Sequence, residues 1–158
     1  MKVELNARFA RIRAYYAKHM AAIMANGCEW FGDAYQWDHE GGIRLTPIEA
    51  ALWHDIRAED CVLYPQLPVG RFFVDFGNPV ARVAIECDGE RWHTDKARDA
   101  QRQAEIEAMG WTVYRIGGRE CFTDFEETED DNGAPIIKAG AARVLIRNIC
   151  ARHEIKRP

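Results

Sequence analysis

Two neighbouring stretches, Arg71-Phe72-Phe73-Val74-Asp75-Phe76 and Val83-Ala84-Ile85-Glu86-Cys87-Asp88, decide the fold. Both are rich in β-branched and aromatic residues and are separated by turn-forming ones, which predicts a pair of strands. Alternation places Phe72, Val74 and Phe76 on one face of the first strand and Asp75 on the other. In the second, Val83, Ile85 and Cys87 share a face, and Glu86 and Asp88 lie together on the opposite one. A turn covering residues 79–82 sets Asp75 directly across from Glu86, with Cβ atoms roughly 4.5–5.5 Å apart. Two carboxylates so close repel unless a cation lies between them. Magnesium, held by one or two carboxylates and a substrate phosphate, suits that arrangement. A tighter turn at Gly77-Asn78 slips the register instead, and leaves both acids on the solvated face of a hairpin. The residues alone leave both registers open.

Downstream, Asp88-Gly89-Glu90-Arg91-Trp92-His93 leaves the strand through a glycine that permits a sharp exit. His93 then returns towards the same strand end, where an imidazole can take a proton from water near neutral pH. A lone surface histidine is the competing reading. Residues 95–109 have helical periodicity and stop at Gly110. In that helix Ala97, Ala100, Ala104 and Ala108 make a small-residue stripe suited to packing on a sheet, bordered by Lys96 and Gln103. Asp99 and Arg102 are spaced to pair with each other, and Lys96 either reaches a phosphate or stays solvated. Residues 111–116 form a further strand. An acidic loop follows (Glu126, Glu127, Glu129, Asp130, Asp131), then a helix from near Pro135 to about Arg152.

Upstream, residues 62–64 read as a short strand. Thr46-Pro47-Ile48-Glu49 starts a helix with a capping hydroxyl, a proline in the first turn and a glutamate three residues after the cap. Glu49 also falls within the apolar arc of Ile48, Leu52, Trp53 and Ile56, where a carboxylate needs a partner. It is either a capping residue or a site residue. Residues 28–45 form an irregular connection containing Trp30, Phe31, Tyr35 and Trp37. Before it, Leu5, Phe9, Ile12, Tyr16, Met20 and Ile23 recur at helical spacing up to Asn26-Gly27. That stripe packs either on the domain or on a second copy of the chain, so a homodimer stays open. The expected organisation is an N-terminal helix and connection over residues 1–45 and one globular unit over 46–158. The class is α/β, a central mixed sheet flanked by helices.

A chain of 158 residues, 47% hydrophobic and 29% charged, has room for one sizeable core and is neither disordered nor fibrous. No apolar run approaches the roughly 20 residues of a membrane span. The start, with Lys2, Glu4, Arg8 and Arg11, does not read as a secretory signal, so a cytoplasmic protein is expected. The five cysteines are scattered, with no disulfide framework or zinc-ligand spacing. A net charge of −4 argues mildly against a nucleic-acid partner. Yet Arg91, Lys96, Arg98, Arg102, Arg115 and Arg119 flank the acids, and a local basic surface survives an acidic total.

Together, the run from Tyr64 through Asp75-Phe76, then Ala84-Ile85-Glu86-Cys87-Asp88-Gly89 with Trp92-His93, Asp99 to Arg102, and Gly110-Trp111-Thr112-Val113-Tyr114-Arg115 resembles a known family. It is the small endonuclease-like family related to very-short-patch-repair endonucleases, within the PD-(D/E)xK restriction-endonuclease-like superfamily. The resemblance covers about residues 46–122. It implies magnesium-dependent cleavage of DNA, with manganese as a substitute. It places the metal on Asp75, Glu86 and the backbone carbonyl of Cys87, makes His93 the assistant of the attacking water, and matches Glu49 to a helical acid near the site. Asp88 stands where the superfamily usually has lysine, so Lys96, Arg102 or a second metal takes the charge-stabilising role. The expected activity is phosphodiester hydrolysis in nucleic acid, with Asp75, Glu86, Asp88, His93 and Glu49 catalytic. Lys96, Arg102, Gln103 and Arg91 are expected to contact substrate. The alternative is an inactive interaction module on the same fold.

Overall fold

The computed structural model of the chain describes residues 2–31, 43–88, 95–121, 126–129, 131–138 and 140–155. The elements run α1 (Lys2–Asn26), α2 (Pro47–Ala58), β1 (Tyr64–Val69), β2 (Phe72–Asn78), β3 (Val83–Asp88), α3 (Lys96–Ala108), β4 (Thr112–Gly117), α4 (Gly118–Cys121), β5 (Glu126–Glu129), β6 (Pro135–Lys138) and α5 (Ala141–Arg152). Strands β1 to β4 form one sheet in sequence order; the first two pairings are antiparallel and β3 pairs with β4 in parallel. A parallel neighbour requires a crossover, and α3 supplies it. Flanking helices complete the mixed α/β architecture.

The turn between β2 and β3 covers residues 79–82, the longer of the two connections considered. Asn78 builds it: its Oδ1 accepts the amides of Val80 and Ala81 at 3.0 and 2.9 Å, while its Nδ2 donates to the Val62 carbonyl at 2.9 Å. Arg82 completes the turn at φ 54°. This geometry fixes the pairs Phe76↔Ile85, Gly77↔Ala84 and Asn78↔Val83.

Three expectations are corrected. The first strand runs over Tyr64–Val69, beyond the expected residues 62–64, despite Pro65 and Pro68. Position explains it: β1 is an edge strand, and an edge tolerates a residue without an N–H donor. Secondly, the acidic segment pairs with Pro135–Lys138 as a two-stranded hairpin, and the last helix starts only at Ala141. The four residues Pro135-Ile136-Ile137-Lys138 are too short a run to separate from the helix behind them. Lastly, the alanine stripe of α3 faces solvent, and Ile106 is the helix's buried residue. Half-buried Asp99, Arg102, Gln103 and Glu105 lie on the sides facing the body of the protein, because the polar groups there find partners.

Helix α1 packs on the domain. Ile12, Tyr16 and Ile23 are buried, Phe9 and Met20 partly so, while Leu5 is exposed at 46%. The Tyr16 hydroxyl donates to the carbonyl of Pro65, Arg13 Nη1 donates to the Gly70 carbonyl at 2.9 Å, and Phe9 meets Phe73 with ring centroids 4.9 Å apart. Trp53 of α2 stacks on Phe76 at 5.9 Å and takes the edge of Trp30. At the C-terminal end of α2, buried Glu59 accepts from Arg143 at 2.5 Å and Arg147 at 2.8 Å, which ties α5 to the body. Among the described residues no helix is long and apolar enough to cross a membrane.

Candidate active site

Asp75 sits near the middle of β2, between β1 and β3. The pairs around it leave Glu86 opposite on one side and Gln66 opposite on the other. Glu86 Oε2 lies 3.4 Å from the Asp75 amide, and Asp75 Oδ2 accepts the Cys87 amide at 2.7 Å. Burial first, and the charge of Glu86 next, push the Asp75 carboxyl up to about 9; the Cys87 amide opposes this, and Glu49 adds to it. Glu86 is itself only 6% exposed. Desolvation and like charge act together here, the combination that marks many catalytic acids.

A guanidinium compensates on the other flank. Arg102 Nη1 lies 2.6 Å from Glu86 Oε1, and its Nη2 donates to the Phe73 carbonyl at 2.6 Å. The expected Asp99 pairing of Arg102 therefore gives way to a bridge from α3 to the sheet. A fork with fixed donor geometry suits that bridge better than an ammonium.

The other expected residues divide. Glu49 completes the capping box, its Oε2 accepting the Thr46 amide at 2.7 Å while its own amide donates to Thr46 Oγ1 at 3.3 Å. The capping reading is therefore met, and Glu49 also lines the cleft beside Asp75. Asp88 ends β3 and accepts from Arg115 Nη1 at 2.8 Å; Arg115 Nε in turn donates to Gln103 Oε1 at 2.7 Å. Gln103 thus positions Arg115, and Lys96 stands exposed at the start of α3. The Cys87 thiol hydrogen-bonds Cys121, which with burial pushes it up. His93 and Arg91 lie outside the described residues.

Sequence reasoning passed over Arg8, Arg44 and Gln66, which line a cleft with Asp75. Only the β1–β2 register could have signalled Gln66, and the prolines of β1 hid that strand.

Asp75 and Glu86 offer hard oxygen donors on adjacent strands. Among the described residues no group of three His, Cys, Asp or Glu side chains is gathered for a metal.

The chain matches the REase_MTES_1575 family, which is restriction-endonuclease-like, over residues 48–131. It is similar to the uncharacterized protein YcjD of Escherichia coli (strain K12), 36% identical over 91 residues, covering 56% of this chain and 77% of that protein. An uncharacterized protein of Haemophilus influenzae (strain ATCC 51907 / DSM 11121 / KW20 / Rd) is 29% identical over 86 residues, covering 51% of this chain and 71% of that one. Among solved structures, the catalytic domain of the homing endonuclease I-Bth0305I aligns with a TM-score of 0.49 at 19% identity, covering 69% of this chain and 98% of that domain.

Proposed function

This chain belongs to the restriction-endonuclease-like REase_MTES_1575 family, and from that premise we propose that it is a magnesium-dependent nuclease that nicks DNA. The observation that carries the reading is the juxtaposition of half-buried Asp75 and buried Glu86 on adjacent strands, with Asp75 Oδ2 on the Cys87 amide and Glu86 Oε2 3.4 Å from the Asp75 amide. Asp75, Glu86 and the Cys87 carbonyl would hold the ion. Once bound, magnesium polarises a phosphoryl oxygen and lowers the pKa of a water.

The chain's own groups do the rest. The Cys87 amide fixes the direction of the Asp75 carboxyl. Arg102 holds Glu86 in place and brings a permanent positive charge next to it, in the role that lysine fills elsewhere in the superfamily. Negative charge developing on a phosphate is stabilised by such a preorganised cation. His93 takes the proton of the attacking water, and Arg115 keeps the Asp88 carboxylate at the strand end. One such constellation per chain cuts one strand.

A second reading, an inactive interaction module, is favoured by Asp88 at the usual lysine position. Supercoiled-plasmid nicking with magnesium separates the two when Asp75→Asn and Glu86→Gln are run beside the wild type. Nicking lost in both variants supports the nuclease; a wild type inert on every nucleic acid promotes the module.

A further inference from the structure

The cleft beside Asp75 opens between α1 and the sheet. Its inner part, about 340 Å³, is lined by Arg8, Arg44, Gln66, Phe73, Glu49 and Asp75. It shares Arg8 and Arg44 with an outer recess of about 710 Å³ that adds Arg11 and Glu4. The outer recess carries three guanidinium groups against one carboxylate, and the two arginines it shares with the inner part stand there beside Glu49 and Asp75.

Two polar atoms in this cleft are enclosed without hydrogen-bond partners, Arg8 Nε and Gln66 Oε1. Unsatisfied buried polar atoms are costly, on the order of 1–3 kcal/mol each, and call for a ligand or a structural reason. Gln66 is 7% exposed, and its Nε2 is committed to the Arg44 carbonyl at 2.9 Å. Which amide atom is the acceptor is thereby fixed, because only nitrogen can donate to that carbonyl. Gln66 also stands at φ 48°, an unusual conformation for a non-glycine residue, and lies opposite Asp75 in the β1–β2 register.

We propose that this cleft is a subsite for one unpaired nucleotide next to the scissile phosphate. A base N–H donates to Gln66 Oε1, and the adjoining backbone phosphates lie on Arg8, Arg11 and Arg44. The inference rests on the reading that nucleic acid is the substrate class. Its own content is a preference for strands whose bases are free. The edge N–H groups of a paired base are already committed within the duplex, whereas a single-stranded or swung-out base has them free for a buried acceptor. Arg8, Arg11 and Arg44 lie outside the matched residues 48–131, whereas Glu49, Gln66, Phe73 and Asp75 lie within them.

The test is fluorescence anisotropy on the full chain with labelled oligonucleotides in EDTA, where binding is read without cleavage. We expect single-stranded DNA to bind about tenfold more tightly than the matched duplex. Arg8→Met and Gln66→Met should each weaken single-strand binding by about tenfold. In Arg8→Met the slope of log affinity against log salt should also fall by about 0.7, the value for one lost phosphate contact on a single strand. Should Gln66→Met fail to fold, Arg8→Met and Arg11→Met on the helix carry the test. Equal binding of duplex and single strand, no binding of either, or unchanged affinity and salt slope in the arginine variants overturns the proposal. Plasmid nicking with magnesium is scored in parallel. Its absence beside intact single-strand binding sinks the hydrolysis reading and leaves the subsite standing.

Discussion

Arg102 and Glu86 are joined across two elements by a 2.6 Å contact, and the same guanidinium reaches the Phe73 carbonyl at 2.6 Å. One side chain thus holds a buried carboxylate and a strand backbone at a fixed spacing. Removing it leaves Glu86 desolvated without its countercharge. Arg102→Met should lower stability by about 1–3 kcal/mol in urea unfolding and reduce nicking by about a hundredfold or more. Arg102→Lys should recover most of the stability and only part of the activity, because an ammonium keeps the charge but lacks the fixed fork that meets both acceptors.

Asp75 gives stability a pH dependence with a definite sign. The unfolded carboxyl releases its proton near the ordinary value of 3.8, the folded one only at about 9. Between those values the folded chain binds more protons than the unfolded chain, so stability falls as pH rises through that window. In EDTA, the melting temperature should decline from pH 5 to pH 9, and Asp75→Asn should flatten the decline. Magnesium should raise the melting temperature, and by more at pH 9 than at pH 6. Differential scanning fluorimetry checks each statement.

Helix α1 is part of the folded unit through Ile12, which is fully buried. Ile12→Ala should cost about 2–4 kcal/mol, the usual range for emptying such a position. Loss of single-strand binding should accompany it, since α1 forms one wall of the cleft. A cost near zero by urea unfolding would mean that the helix contributes little to the fold.

His93 and Asp88 are separable by kinetics. Asp88 is already engaged by Arg115 at 2.8 Å, so Asp88→Asn should slow nicking by less than about tenfold. His93→Ala should slow it by about 10²–10⁴-fold, the range for a lost general base, and abolish the rise in rate through the histidine range. Rate measurements from pH 5.5 to 8.5 distinguish the two.

The central strands and their acids were legible because period-two alternation is strong in residues 71–76 and 83–88. The turn was the undecided element, and the side-chain bonds of Asn78 select it. Legibility failed where a residue's role depends on a distant partner. Arg102 looked suited to Asp99 within its own helix, but Glu86 lies 16 positions away in sequence and wins. The alanine stripe of α3 looked like a packing face, yet polar groups that find partners on the sheet turned the helix the other way. Gln66 was hidden in a strand with two prolines, which only its edge position allows.

The central claim is that two adjacent strands bring Asp75 and Glu86 onto one divalent cation. Anomalous scattering from a manganese-soaked crystal tests it most directly. The account predicts a peak between the two carboxyl groups, within roughly 2.0–2.2 Å of an oxygen from each, with Arg102 still on the outer Glu86 oxygen. A manganese peak that touches neither acid, or none at saturating metal with both carboxyl groups in place, would contradict it.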